Sequence, residues 1–116
     1  TLDISLTIED DPATLIESVE HLNNHNLIII AGGTGLTAKD KTPETLLSIL
    51  DKEIPGIGET VRNYGDERTP KSLVSRSVGG LKDGSLIVAL PGSKNGLTDA
   101  LHALFPYLFT LLPKLK

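Results

Sequence analysis

The run Leu27-Ile28-Ile29-Ile30-Ala31, opening straight into Gly32-Gly33-Thr34-Gly35, constrains this chain more than any other segment. A short, unbroken apolar run bounded by glycines reads as a strand buried on both faces, the kind found inside a parallel sheet. Glycines clustered at that strand's C-terminal end leave backbone N–H groups bare and open to a ligand. Thr42 is a good N-cap and Pro43 a good first helical residue, so a helix is predicted over 43–51 with its positive dipole end toward the same loop. Open α/β sheets bind ligands at the carboxyl ends of their strands, where this loop lies. An anion such as a phosphate is the natural guest. Asp40, a carboxylate in the middle of an anion site, is then explained by a bridging cation such as Mg²⁺.

The order along the chain is strand–helix–strand–helix, the grammar of a parallel sheet. Leu2, Ile4, Leu6 and Ile8 alternate with Thr1, Asp3, Ser5 and Thr7, which predicts a half-buried strand. Asp11-Pro12 opens a helix with apolar face Leu15, Ile16, Val19 and Leu22, and the Asn-rich stretch 23–26 ends it. Asp51 to Glu53 is read as the close of the next helix. Gly56 to Asn63 is predicted as a short helix, Tyr64 to Arg68 as a polar loop, and Pro70 to about Ser75 as a helix capped by Thr69. Val78 to Gly84 is too glycine-rich for a regular element and reads as paired strand ends around an Asp83-Gly84 turn. Ser85 to Leu90, apolar throughout after Ser85, is a second buried strand. Pro91-Gly92-Ser93 breaks it, and a helix follows from about Asn95, interrupted or restarted at Pro106. Two Gly loops at the carboxyl ends of two buried strands can face each other across one crevice. In the second loop Ser93 and Lys94 offer a hydroxyl and a cation to an anion, although plain helix capping also accounts for Ser93.

Composition narrows the function classes. At 116 residues the chain makes one domain with one core. With no cysteine there is no disulfide, thiolate zinc site or thiol nucleophile, which fits a reducing compartment. A net charge of −4 provides no basic nucleic-acid footprint, and two Phe and two Tyr are too few for a base-stacking platform. The apolar stretch Leu101 to Leu112 is broken by His102 and Pro106 and falls short of the roughly 20 residues of a membrane span. No secretion signal is visible. The chain opens at Thr1 and contains no methionine, so Thr1 is not expected to be a native start. The expectation is a soluble, cytoplasmic domain with neither nucleic acid nor membrane as partner.

Three familiar motifs fail on inspection. Gly33-Thr34-Gly35-Leu36-Thr37-Ala38 matches a dinucleotide fingerprint in form, but its helix signal comes too late, and the acidic residues about 20 positions on, Asp51 to Glu53, are read as closing a helix. No Gly-Lys-Ser or Gly-Lys-Thr completes a phosphate-binding P-loop. His21 and His25 share a helix face, but Leu22 stands where a metalloprotease motif has Glu, and no third zinc ligand is evident.

Gly-Gly-Thr-Gly-Leu-Thr-Ala-Lys-Asp-Lys-Thr-Pro-Glu-Thr (32–45) resembles the signature of the molybdopterin-binding domain of molybdenum cofactor biosynthesis proteins, a group that includes the molybdopterin adenylyltransferases and the gephyrin G-type domain. Three later segments agree in order and spacing: Asp51-Lys52-Glu53-Ile54-Pro55-Gly56, Leu73-Val74-Ser75-Arg76-Ser77, and Leu86 through Pro91-Gly92-Ser93. The likeness runs from about Ile8 onward. It implies a three-layer α/β/α sandwich with a mostly parallel sheet, in which residues 1–116 lack the family's N-terminal strand and its Ser-Asp-Arg and Asp-x-Ser-Gly loop. Lys39 replaces a usual Arg, Lys41 a usual aliphatic, and Thr110 a common His. Tyr64 to Pro70 looks most like the form fused behind a pyranopterin synthase domain.

The implied reaction is Mg-ATP-dependent adenylylation of molybdopterin. Asp40 would hold the metal against the triphosphate, and Gly32, Gly33, Thr34, Gly35 and Thr42 would form the phosphate loop. Thr69, Ser75, Arg76 and Ser77 would reach the pterin or its phosphate, and Pro91, Gly92, Ser93 and Lys94 would line the same pocket. For Arg76, a bidentate phosphate contact and a structural ion pair are both open. The resemblance implies a homo-oligomer, a trimer or a multiple of one, and the excess apolar surface of Leu101, Leu104, Phe105, Leu108, Phe109, Leu111 and Leu112 independently points to self-association. A non-catalytic molybdopterin carrier is the alternative function, and a relative serving another pathway, such as the competence-damage-inducible group, is a third.

Overall fold

The two all-apolar runs are neighbouring parallel strands at the centre of a five-stranded sheet in the computed structural model, which describes residues 4–7, 12–22, 26–66 and 75–111. The elements are β1 (Ile4–Thr7), α1 (Pro12–His21), β2 (Leu27–Ala31), α2 (Thr42–Ile49), β3 (Lys52–Glu53), α3 (Pro55–Asp66), β4 (Val78–Lys82), β5 (Ser85–Leu90) and α4 (Lys94–Leu111). Their order in the sheet is β1-β2-β5-β4-β3. β1, β2 and β5 run parallel, whereas β4 pairs antiparallel with β5 and β3 antiparallel with β4. The fold is α/β as expected, but the sheet is mixed and not mostly parallel. The cause is local. Asp83 (φ 51°) and Gly84 (φ 83°) both take positive φ, as a two-residue hairpin turn requires, and so return β5 directly against β4.

The period of two along β2 and β5 sorts their side chains into two cores. Leu27, Ile29, Leu86, Val88 and Leu90 pack with Ile57 and Val61 of α3 and with Ala100, Leu104 and Leu108 of α4. Ile28, Ile30, Ile87 and Ala89 pack on the other face with Leu15 and Val19 of α1 and Leu46 of α2. The sandwich therefore has three layers, and the two central strands are fully buried, as their unbroken apolar sequence requires.

Four expectations need correction. Residues 52–53 form an edge strand instead of closing a helix. Leu50 is already extended (φ −70°, ψ 140°), and Pro55 disfavours helical backbone at Ile54. Helix α3 continues through Tyr64–Asp66, predicted as loop, because Ile57 and Val61 anchor it on the core beneath α4. Val78 to Lys82 is a regular strand whose glycines serve close packing. A Cβ on Gly79 would stand 2.6 Å from Ile57 Cδ1, and one on Gly80 would run into the Lys52 carbonyl of β3. Helix α4 starts at Lys94 and runs unbroken through Pro106. An internal proline costs a helix about 3 kcal/mol, and burial of Leu104 and Leu108 on either side offsets it. The predicted helix from Pro70 and its Thr69 cap fall outside the described residues except for Ser75, which is not helical, and Asp11 and His25 fall outside them as well.

Candidate functional site

The crevice follows from the topology. β2 and β5 are adjacent and parallel, yet the helices that follow them diverge: α2 packs on the Ile28–Ile30 face and α4 on the Leu27–Ile29 face. Where neighbouring strands send their helices to opposite faces, a cleft opens at the strands' carboxyl ends. The two glycine loops meet there in backbone contact. Gly32 N–H donates to the Leu90 carbonyl at 2.9 Å, and a Cβ on Gly92 would lie 3.0 Å from Gly32 Cα. Gly33 sits at φ +70°, and a Cβ on it would overlap the Thr42 hydroxyl. The Thr42 N–H donates to the Gly33 carbonyl at 3.2 Å, so the loop folds back on the start of α2. The N-termini of α2 and α4 thus both follow directly from the touching loops, a setting that favours an anion.

Neither helix start matches expectation fully. Thr42 is not the cap: Lys41 holds that position without a side-chain cap bond, and Thr42 is the first helical residue, buried and turned in against Gly33. Ser93 does cap α4, its Oγ accepting from Gly96 N–H at 3.1 Å and its carbonyl from Leu97 N–H at 2.8 Å. Pro91 is half-buried, and Lys94 projects to solvent.

Asp40 is positioned by its own loop. Its Oδ2 accepts from the Thr37 hydroxyl at 2.8 Å and the Thr37 N–H at 2.9 Å, while a Cβ on Gly35 would come within 2.8 Å of the same oxygen. Arg76 reaches into this loop from the segment before β4. Its Nε donates to the Gly35 carbonyl at 2.8 Å, Nη2 to the Asp40 carbonyl at 2.6 Å, and Nη1 to the Glu44 carboxylate. The Arg76 N–H also donates to the Thr34 carbonyl at 2.9 Å. Of the two readings left open for Arg76, the ion pair is the one the geometry displays. Ser75 and Ser77 share a 3.0 Å hydroxyl contact, and Ser77 is buried. Ser75, Arg76 and Ser77 line a cleft of about 540 Å³ between α2 and α3, walled also by Glu44, Glu59 and Arg62. The Arg76 bonds to Thr34, Gly35 and Asp40 join the glycine loop to the segment 75–77, but no residue of 32–42 or 91–94 lines that cleft. Thr69 lies outside the described residues.

Comparison with known proteins identifies the family and agrees with the fold. Residues 2–110 match the family model described as a probable molybdopterin binding domain. The chain belongs to the molybdopterin-binding domain family. It is 35% identical over 118 residues to a molybdenum cofactor biosynthesis bifunctional protein of Synechococcus elongatus, covering 100% of this chain and 37% of that protein. It is 36% identical over 89 residues to the molybdopterin adenylyltransferase of Escherichia coli K12, covering 77% of this chain and 45% of the other. The chain therefore spans less than half the length of these curated relatives. Among solved structures, the molybdopterin biosynthesis Mog protein of Mycobacterium ulcerans superimposes with a TM-score of 0.88 at 26% identity, over 100% of both chains. The molybdopterin biosynthesis enzyme MoaB of Thermus thermophilus gives 0.87 at 28% identity, over 99% of this chain and 96% of that one.

Within this family domain, sequence reasoning passed over Thr37, Glu44 and Arg62. The Thr37-x-x-Asp40 spacing is a legible local signal, since a Thr and an Asp three apart commonly bond within a turn. Arg62 carries no such signal, because its partner, the Ser77 carbonyl at 3.1 Å, is 15 residues away.

The Thr37 hydroxyl, then its N–H, hold the Asp40 carboxyl below the usual carboxylate range, and the Arg76 guanidinium does the same for Glu44. Asp40 is therefore an anion throughout the neutral range, suited to hold a cation and poorly suited to act as a base. A depressed carboxyl stabilises the folded loop above its ordinary pKa, and the contribution disappears as pH falls through the depressed value. Thr37→Val is expected to move the Asp40 titration upward toward the ordinary carboxylate value, measurable from side-chain NMR shifts. An unmoved titration would remove Thr37 as the cause.

Proposed function

We propose that this domain acts in molybdenum cofactor biosynthesis, adenylylating molybdopterin with Mg-ATP. The terminal phosphate of molybdopterin attacks the α-phosphate of ATP, forming a new P–O–P linkage and releasing pyrophosphate. One observation carries the reading: two glycine loops in backbone contact, each leading into a helix N-terminus, with an anionic Asp40 on the first loop. The family membership supports it, as does the similarity to a molybdopterin adenylyltransferase and a molybdenum cofactor biosynthesis bifunctional protein.

In this reading the N–H groups of Gly33, Thr34 and Gly35 receive phosphate oxygens, and the α2 and α4 dipoles offset their charge. The Gly32 N–H, expected from sequence to join them, is taken by the Leu90 carbonyl, so Gly32 shapes the loop instead. Thr42 shapes the loop through its backbone bond to Gly33. Pro91, Gly92 and Ser93 form the facing wall, with Lys94 at its solvent side. Ser75 and Ser77, and Thr69 beyond the described residues, belong to the molybdopterin side. Mg²⁺ would be held by Asp40 together with the phosphates and would neutralise phosphate charge. For such an ion the loop offers one carboxylate, Asp40, oriented by the Thr37 hydroxyl and N–H. Phosphate chemistry rests mainly on positioning and charge, which such a site provides.

The test is pyrophosphate release by the full-length protein with ATP and Mg²⁺, with and without molybdopterin. Release that requires molybdopterin supports the enzyme. Molybdopterin binding without release identifies a carrier instead.

Self-association belongs to the same proposal. Helix α4 presents Tyr107, 66% exposed, beside an apolar groove lined by Leu101, His102, Phe105 and Pro106. Light scattering at micromolar concentration is expected to report a trimer or a multiple of one, and a monomer would refute it. Among the described residues no helix is long and apolar enough to cross a membrane.

A further inference from the structure

We infer that Arg76 is a positioning residue and not a phosphate ligand: anchored on Glu44, its guanidinium fastens the main chain of the Gly35–Asp40 loop and so sets where the Asp40 carboxylate stands. The inference rests on the reading of that loop as a phosphate site, but its geometry is independent of it.

The guanidinium carries five N–H donors in a rigid fork, and this fork is used on three sides. Nε takes the Gly35 carbonyl at 2.8 Å, Nη2 the Asp40 carbonyl at 2.6 Å, and Nη1 the Glu44 carboxylate. The two carbonyls bracket the segment that carries Thr37 and Asp40, so one planar group ties both ends of that segment. The Arg76 N–H bond to the Thr34 carbonyl at 2.9 Å holds the base of the side chain to the same loop. Behind it, Arg62 of α3 donates to the Ser77 carbonyl at 3.1 Å and fixes the strand lead-in from which Arg76 projects. Glu44 belongs to the first turn of α2, so the clamp spans α3, the 75–77 segment, the glycine loop and α2. A lysine would keep the charge and lose the fork.

The clamp and the ligand alternatives predict opposite signs for one substitution. If Arg76 bound phosphate, Glu44 would compete for it, and Glu44→Gln would tighten triphosphate binding. If Glu44 anchors the clamp, the same change loosens the loop and weakens binding. Glu44 is largely exposed, so Glu44→Gln is not a folding risk.

The full-length protein, Glu44→Gln, Arg76→Lys and the double variant are compared in two assays. The first is limited trypsin cleavage after the exposed Lys39 and Lys41, quantified by mass spectrometry. Cleavage follows the population of the opened loop and is expected to rise on the order of 3-fold in Glu44→Gln and 10-fold in Arg76→Lys. The double variant should be no worse than Arg76→Lys alone, as for a shared interaction. The second assay is affinity for Mg²⁺ and inorganic triphosphate, which should fall in both single variants. Tighter triphosphate binding in Glu44→Gln with unchanged cleavage would overturn the inference. If the wild-type protein binds no triphosphate, the phosphate reading fails, and the cleavage rates alone still decide whether Arg76 clamps the loop.

Discussion

Asp40→Asn in the full-length protein is expected to lower adenylylation by on the order of 10²-fold or more, the loss that follows removal of a preorganised charge contact. The substitution is close to isosteric. An amide oxygen can still accept from the Thr37 hydroxyl and N–H, so the loop keeps its shape and only the negative charge is lost. Molybdopterin affinity should survive, because that ligand is assigned to the segment 75–77 and its cleft. Thermal stability should change little, as for a surface position away from the core. Measurement of pyrophosphate release beside molybdopterin binding separates these effects. Wild-type turnover in Asp40→Asn would remove Asp40 from the chemistry.

Gly33→Val is expected to cost about 2–5 kcal/mol of stability and to abolish phosphate binding. Two penalties combine. At φ +70° an L-residue pays about 1–2 kcal/mol, and its Cβ would overlap the buried Thr42 hydroxyl, an overpacking worth about 1–3 kcal/mol more. The parts can be separated. Gly33→Ala combined with Thr42→Ala should recover the steric share and keep the backbone share, as read by denaturant unfolding.

Gly35 differs in kind, because it has no positive φ and its Cβ would meet only the Asp40 carboxylate at 2.8 Å. Gly35→Val should therefore displace Asp40 and weaken triphosphate binding with a smaller loss of stability. If affinity stays unchanged, this loop is not the cradle.

The site was legible to the extent that it is local. Gly32 to Gly35 at the end of an apolar run, and Pro91-Gly92-Ser93 at the end of another, placed two loops at strand ends. The structure brings them into contact because β2 and β5 are neighbours. Thr42 was assigned one position too far out, since a Thr before Pro carries the signal of a cap whether or not its side chain faces the helix. Here Thr42 faces Gly33, a neighbour that the local pattern does not reveal. The role of Arg76 was undecidable from sequence because its partners Gly35, Asp40 and Glu44 lie 41, 36 and 32 residues away.

By itself the sequence determined what depends on short-range pattern: two strands with unbroken apolar runs, Leu27 to Ala31 and Leu86 to Leu90, which can only be buried on both faces, the Asp83-Gly84 hairpin, and the glycine loop with Asp40 close behind. Tertiary structure alone decided whatever required one element to lie on another. Gly79 and Gly80 look like strand breakers until α3 and β3 occupy the space their missing side chains leave. Pro106 looks like a helix end until Leu104 and Leu108 are buried on both sides of it. Propensity and periodicity act over a few residues and amount to about 1 kcal/mol per position, apart from proline. Packing against a distant segment can outweigh them, and that segment's position is set only once the sheet has formed.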